Sequence, residues 1–328
     1  MTDAGWAVTT MKEPPPLISV IVPCFGQAHL LPEAVASVQA QSVADWELLV
    51  IDDGSPDDTA AVAGALAAAD PRIRLLRKSN GGLSSARNAG LAQMRGRFVQ
   101  FLDADDLLLP GKFQRALEAI NDLRGLAVAI DDYEFLNADG STSRTALCKP
   151  RFRSSDVELE LSLRWELELS IPIHCPLFAG NFFRGPTEIR FDERLPNHED
   201  YAFWMQVTAL RPSIVITEQT GALYRINPAG MTRNRRQMYQ GFTMAVRARL
   251  ENAFLRPIVR KALKAKLSVI DNQYGQGLRG RARAILQRSK WRQRLPWPMQ
   301  RALFEIALLD PLAHQAAVSL KFGVRAAL

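Results

Sequence analysis

The sequence predicts an α/β protein with a mostly parallel central sheet flanked by helices, followed by a helical, basic C-terminal region. Three observations carry this. From Leu17 short apolar runs alternate with helical patterns, two of those runs end in clusters of aspartate, and beyond Arg233 the strand pattern gives way to basic helical sequence. With 328 residues and 47% hydrophobic content, the chain can bury a sizeable core.

The first strand is read at residues 18–22, stopped by Pro23. Residues 30–41 then place Leu31, Ala34, Val35 and Val38 at helical spacing. A second strand, residues 46–51, runs straight into Asp52, Asp53, Gly54 and Ser55. Asp57 and Asp58 open an alanine-rich helix, residues 72–76 form a third strand, and Gly81 and Gly82 lead into a helix ending near Gln93. The next strand, residues 98–102, delivers Asp103, Ala104, Asp105 and Asp106. Past Asp139 the rhythm weakens, with strands expected at 177–183 and 213–217 and a helix at 199–210. Ligands of open α/β sheets sit outside the carboxyl ends of the strands, so Asp52, Asp53, Asp103 and Asp105 should converge there.

Composition narrows the setting. Cys24, Cys148 and Cys175 lie far apart without a CxxC pair, so neither a zinc cluster nor a disulfide framework is indicated, which fits a reducing, cytoplasmic compartment. Residues 1–16 carry Asp3, Glu13 and three prolines and read as a tail, not a signal peptide. No apolar stretch reaches the roughly 18 residues of a spanning helix, so the expectation is a chain that is soluble or lies on a membrane without crossing it.

The strongest chemical signal is Asp103-x-Asp105. Carboxylates two residues apart at a strand end can share or flank one hard cation, and an acid cluster at the mouth of an apolar strand is costly unless paired or metal-bound. The competing reading is a polar turn before Pro110. Asp53 could accept a hydrogen bond from a nucleobase edge, or simply belong to an Asp-Gly turn. Gly81 and Gly82 allow backbone to approach a ligand at a helix N-terminus, with Arg87 about one turn inside, facing a nucleotide, the competing reading being an ordinary loop with a surface arginine. Asn197, His198, Glu199, Asp200 and Tyr201 begin the later helix; its acids suit either capping or acceptance of a proton from a hydroxyl.

Together, Val20-Ile-Val-Pro-Cys-Phe25, Asp52-Asp-Gly-Ser-Pro-Asp-Asp-Thr59, Ala86-Arg-Asn-Ala-Gly90 and Phe101-Leu-Asp-Ala-Asp-Asp106 resemble the family 2 glycosyltransferases of the GT-A, or nucleotide-diphospho-sugar transferase, fold. The resemblance is dense over residues 17–130 and looser over 181–225. It implies a catalytic domain at 17–232, with a nucleotide-binding half at 17–135 and an acceptor half at 136–232, ahead of the basic region at 233–328. It further implies that Pro23, Phe25 and Asp53 hold the base, that Arg87 contacts the nucleotide, and that Asp103 and Asp105 bind the diphosphate with Mn²⁺ or Mg²⁺. Glu199 and Asp200 match the family's Glu-Asp pair, with Asp200 as the base. The expected donor is a UDP-, GDP- or dTDP-sugar and the expected acceptor a saccharide or lipid-linked saccharide, as in cell-surface polysaccharide synthesis. Gly26 stands where an asparagine is often found, and the Gln/Arg-x-x-Arg-Trp motif of processive synthases is absent, which argues for single sugar addition. A catalytically silent nucleotide-sugar-binding or scaffold protein is the alternative; a nucleotidyltransferase would carry a glycine-rich basic loop after the first strand, and Pro23-Cys-Phe-Gly-Gln27 is not one.

The net charge of +7 is concentrated at residues 233–301, where Glu251 and Asp271 are the only acids. No nucleic-acid motif accompanies it. Val259, Leu263, Leu267 and Ile270 mark one helix face, and a run of cations from Arg281 to Arg294 surrounds Trp291 and approaches Trp297. That mixture predicts a helix lying on an anionic membrane at the inner face of the cell membrane, the competing reading being an apolar face packed on the protein with solvated charges around it.

Overall fold

The computed structural model describes residues 14–274 apart from 124, 186–187 and 228–233. The chain divides into two compact units. One comprises residues up to Arg151, Glu168–Glu193 and Gln206–Ile226; the other comprises Phe152–Leu167, Arg194–Met205 and residues from Asn227 onward.

The first unit holds a nine-stranded sheet. Strands β1 (Ile18–Cys24), β2 (Trp46–Asp52), β3 (Ile73–Arg77) and β4 (Phe98–Phe101) are linked by helices α1 (Leu31–Gln39), α2 (Thr59–Ala69) and α3 (Leu83–Gln93). They pair in parallel in the order β3-β2-β1-β4. Both β1 and β2 are buried along their whole length, as the continuous apolar runs require of strands covered on both faces. Beyond β4 the chain adds β5 (Leu107–Leu108), α4 (Lys112–Ile120), β6 (Ala127–Leu136), β7 (Thr142–Ser143), β8 (Pro176–Ala179) and β9 (Ser213–Arg225). β8 inserts antiparallel between β4 and β6, β9 runs parallel to β6, and β5 closes the edge antiparallel to β9.

Several boundaries differ from the sequence reading, and the strand expected at 213–217 runs on to Arg225. Pro23 does not stop β1; it pairs with Ile51 of β2 inside the strand. The ladder to β4 ends at the Ile21–Phe101 pair, and since alternate residues face alternate neighbours, the missing Pro23 amide points to the side where no partner strand continues. The expected strand at 177–183 is strand only through Ala179, after which Gly180–Phe183 coil into a 3₁₀ turn. Gly180 sits against β4, where a Cβ would come within 2.7 Å of the Arg97 carbonyl oxygen.

In the second unit, α5 (Val157–Arg164) packs with α8 (Pro257–Gln273), and α8 packs with α7 (Arg235–Leu250). The apolar face expected to lie on a membrane is turned inward: Val259, Leu263 and Ile270 are fully buried. Part of the basic character is structural too. Arg256 pairs with Asp156 at 2.6 Å and with Glu158 at 2.9 Å, and Arg249 pairs with Glu158. Trp291, Trp297 and their cationic neighbours lie outside the described residues. Among the described residues no helix is long and apolar enough to cross a membrane.

Lys266 shares the buried face of α8, and its ammonium donates at 2.6 Å to the carbonyl of Trp165 and at 3.4 Å to that of Leu163, at the C-terminus of α5. Cations are favoured at that pole of a helix. Even so, burial pushes the ammonium down from its usual 10.5 to about 8, the Glu166 charge opposing this only in part. The folded protein therefore binds fewer protons than the unfolded chain between about pH 8 and 10.5, and stability rises with pH across that window. Lys266→Met should lose this rise, worth up to about 3 kcal/mol. Urea unfolding of both proteins at pH 7.5 and 10.5 measures it, and parallel pH profiles would refute it.

Candidate active site

The site is built where the parallel strands of the first unit end. Cys24 and Asp52 are register partners, and the Asp53 amide donates to the Cys24 carbonyl at 3.0 Å. The loops that follow are tied together as well: the Gly26 amide donates to the Ser55 hydroxyl at 3.1 Å and the Ala28 amide to Asp57 at 3.0 Å. Pro23 is buried, whereas Phe25 is 51% exposed, an apolar ring presented to solvent beside the strand ends.

The two aspartates after β2 divide their work. Asp52 is fully buried and accepts from the Ser55 amide at 2.9 Å and from Arg77 Nε at 3.1 Å. Asp53, 2% exposed, accepts from Lys78 Nζ at 2.6 Å and from the amides of Gly81 and Gly82 at 3.0 and 2.7 Å. Its carboxylate thus fastens the glycine loop at the start of α3, a conformation Gly82 reaches with φ +86°. Lys78 had no signal in the sequence beyond its place after a strand.

Arg87 lies about one turn into α3, as its spacing predicts, but it is 1% exposed and turned toward the protein. It grips Asp103 with two hydrogen bonds from Nη2, at 2.7 and 3.0 Å, and its guanidinium lies 5.1 Å from the Phe191 ring centre. Helix α3 is itself seated on β1, since a Cβ on Gly90 would fall 2.4 Å from Ile21. Arg87 therefore positions the Asp103 carboxylate from behind.

Asp103 to Asp106 form a tight turn, with the Asp106 amide donating to the Asp103 carbonyl at 3.0 Å. Burial, together with the charges of Asp106 and Asp103, pushes Asp105 up to about 7. Asp106 is buried against His174, whose Nδ1 lies 2.6 Å from its carboxylate. Burial favours a neutral imidazole there, yet the Asp106 carboxylate outweighs it and raises His174 to about 10, so that it is protonated at neutral pH. Neither Asp106 nor His174 was singled out from the sequence. A third aspartate in the run was the available signal for the first; a lone histidine between Ile173 and Cys175 offers none for the second.

Among the described residues no group of three or more His, Cys, Asp or Glu side chains could enclose a metal by itself. The donor set still fits Mn²⁺ or Mg²⁺. Asp103 and Asp105 offer hard oxygens on one turn, the Asp105 carboxyl resists ionisation until counter-charge is supplied, and such ions commonly take one or two carboxylates and complete their shell with water and substrate phosphate.

Glu199 and Asp200 open α6 (Glu199–Ala209) in the second unit. The entry to this helix is tightly held. His198 adopts φ +57°, in the left-handed region, and its ring bridges Asn197 Oδ1 at 2.7 Å and Glu166 Oε1 at 3.0 Å while stacking on Phe242 at 4.3 Å. Gly241 is required beside it, since a Cβ would come 1.9 Å from Asn197 Oδ1. Of the sequence-predicted residues, then, the structure joins Arg87 to Asp103, ranges Pro23, Phe25, Asp53 and Asp105 on the same strand-end edge, and places Glu199 and Asp200 in the other unit.

Residues 19–172 match the model of glycosyl transferase family 2. The succinoglycan biosynthesis protein ExoO of Rhizobium meliloti is 28% identical over 257 residues, covering 77% of this chain and 72% of the relative. The uncharacterized glycosyltransferase EpsJ of Bacillus subtilis is 40% identical over 223 residues, covering 66% and 63%. A longer Rickettsia felis glycosyltransferase is matched over only 32% of its length. Among solved structures, S. aureus TarS residues 1–349 in complex with UDP-GlcNAc superposes with a TM-score of 0.59 at 18% identity, covering 95% of this chain and 93% of that one. The mannosyltransferase PcManGT of Pyrobaculum calidifontis, in complex with GDP-Man and Mn²⁺, gives 0.62 at 16% identity, covering 93% and 84%. The motif-bearing strand ends, the family match and these likenesses of fold agree: residues 19–172 carry a glycosyltransferase family 2 domain, and the chain has the GT-A fold.

Proposed function

We propose that this chain transfers a single sugar from a nucleotide-diphosphate sugar to an acceptor hydroxyl with inversion at the anomeric carbon, in the synthesis of a cell-surface polysaccharide. The observation that carries the reading is the Asp103-to-Asp106 turn at the end of β4, with Asp103 held by Arg87 and Asp105 poised near pH 7 by burial and neighbouring charge. Phe25 offers exposed apolar surface for the base, with Pro23 buried next to it in the chain, and Asp53 fixes the glycine loop that approaches it. Asp103 and Asp105 would hold the Mn²⁺ or Mg²⁺, which would supply positive charge against the departing diphosphate. Asp200 accepts the proton of the attacking hydroxyl, with Glu199 beside it, and one in-line displacement needs no enzyme nucleophile.

The names and titles of the relatives support the donor and setting: succinoglycan biosynthesis for one, UDP-GlcNAc and GDP-Man for two neighbours of the fold. A lipid-linked acceptor would bring the enzyme to the cytoplasmic leaflet. The direct test offers UDP-, GDP- and dTDP-sugars with Mn²⁺ and follows release of the nucleotide diphosphate. Release from one of them, lost with chelator, is the expected result. Tight binding of a sugar nucleotide without turnover on any saccharide acceptor would favour a silent binding protein instead.

A further inference from the structure

The turn that carries Asp105 is gripped from β9, the strand paired with β5, by one residue that the roles above do not use. Arg225 is the last residue of β9, and β9 reaches this place by running parallel to β6 through a register shift near Asp132. Its backbone amide donates to Asp106 Oδ1 at 2.8 Å, its Nε donates to the Asp105 carbonyl at 2.8 Å, and its Nη2 pairs with Glu33 Oε2 on α1 at 2.6 Å. One guanidinium thus spans the turn and α1, while the other oxygen of Asp106 is braced by His174 at 2.6 Å.

We propose that Arg225 is a positioning residue for the cation and diphosphate site, fixing the backbone of Asp105 and Asp106 so that the Asp103 and Asp105 carboxylates stay in register. This rests on the metal-dependent donor reading given above. The physical argument is one of restraint. The turn has a single internal backbone hydrogen bond across it, from the Asp106 amide to the Asp103 carbonyl, and it crowds three carboxyl groups into four residues. Left with only that bond, Asp105 would be free to swing away from Asp103. Arg225 and Arg87 hold the two halves separately: Arg87 fixes the Asp103 side chain, and Arg225 fixes the main chain at Asp105. A lysine could keep the charge but could not place one donor on the carbonyl and a second, in the same rigid plane, on Glu33.

The test measures Mn²⁺ binding by the full chain, from the electron paramagnetic resonance signal of the free ion, with UDP and then GDP present, alongside the thermal midpoint. Partners outside the ligand shell commonly change metal affinity by about 10- to 100-fold. Arg225→Met is expected to weaken Mn²⁺ binding by at least about tenfold, Arg225→Lys and Glu33→Gln by less, with thermal midpoints close to that of the wild type. Glu33 is half exposed, so Glu33→Gln gives a result even if Arg225→Met does not fold. Wild-type affinity in all variants that fold would overturn the role of Arg225 and leave the donor reading intact. Absence of Mn²⁺ binding by the wild type with either nucleotide, or undiminished binding by Asp105→Asn, would overturn both.

Discussion

Asp105→Ala is expected to lower sugar transfer by about three orders of magnitude, the size of effect that several kcal/mol of lost charge stabilisation produces. The same change should leave the metal-free protein as stable as the wild type or more so. Burial and the charges of Asp106 and Asp103 raise Asp105 to about 7 in the fold, against 3.8 for an unperturbed aspartate. Between those values the folded state binds more protons than the unfolded chain, so stability falls as pH rises from about 4 to about 7, and the cost persists above. Removing the carboxyl removes that cost, which is on the order of 4 kcal/mol. A loss of turnover combined with a gain of stability at pH 8 separates a functional acid from a structural one, since a capping aspartate would lose both. Mn²⁺ should raise the thermal midpoint of the wild type and not of the variant. Full transfer in the presence of chelator, or by Asp105→Ala itself, would end the metal reading.

The parallel half of the sheet was legible because its signals are local. Each strand is a short, mainly apolar run, and the aspartates at the ends of β2 and β4 mark its carboxyl edge without any long-range information. What the sequence did not disclose is what crosses the sheet. Arg225 meets Asp105 from 120 positions away, and His174 lies 68 residues from Asp106; neither spacing carries a pattern. The antiparallel insertion of β8 between β4 and β6 is equally a matter of pairing, to which a four-residue apolar strand gives no clue. Helix α8 shows a different limit. The spacing of Val259, Leu263 and Ile270 correctly marks a face that leaves water, but amphipathicity cannot say whether lipid or protein receives it, and here α5 and α7 do. Arg87 shows the same limit for a single side chain: its helical position was readable, while its burial behind Asp103 was not.

Asp200→Asn is the change expected to separate chemistry from binding most cleanly. The entry to α6 is fixed by groups that this substitution leaves alone: His198 in its left-handed conformation, its contacts with Asn197 and Glu166, and its stacking on Phe242. Asparagine matches aspartate in size, and in the first turn of α6 it forgoes only the modest attraction of a carboxylate to the helix N-terminus, so the fold should be retained. What asparagine cannot do is take a proton from an attacking hydroxyl. Turnover should therefore fall by about 10² to 10⁴, the usual contribution of a general base, while the affinity for the sugar nucleotide stays near that of the wild type. Glu199→Gln, one position earlier and almost wholly buried, should lose less if Asp200 is the acceptor of that proton. Because the proposed reaction is one displacement opposite the leaving diphosphate, the product must carry the opposite anomeric configuration from the donor, which proton NMR coupling constants report directly. A retained configuration would require an enzyme nucleophile or a same-face attack. Either would remove the need for a single base and, with it, the role given to Asp200.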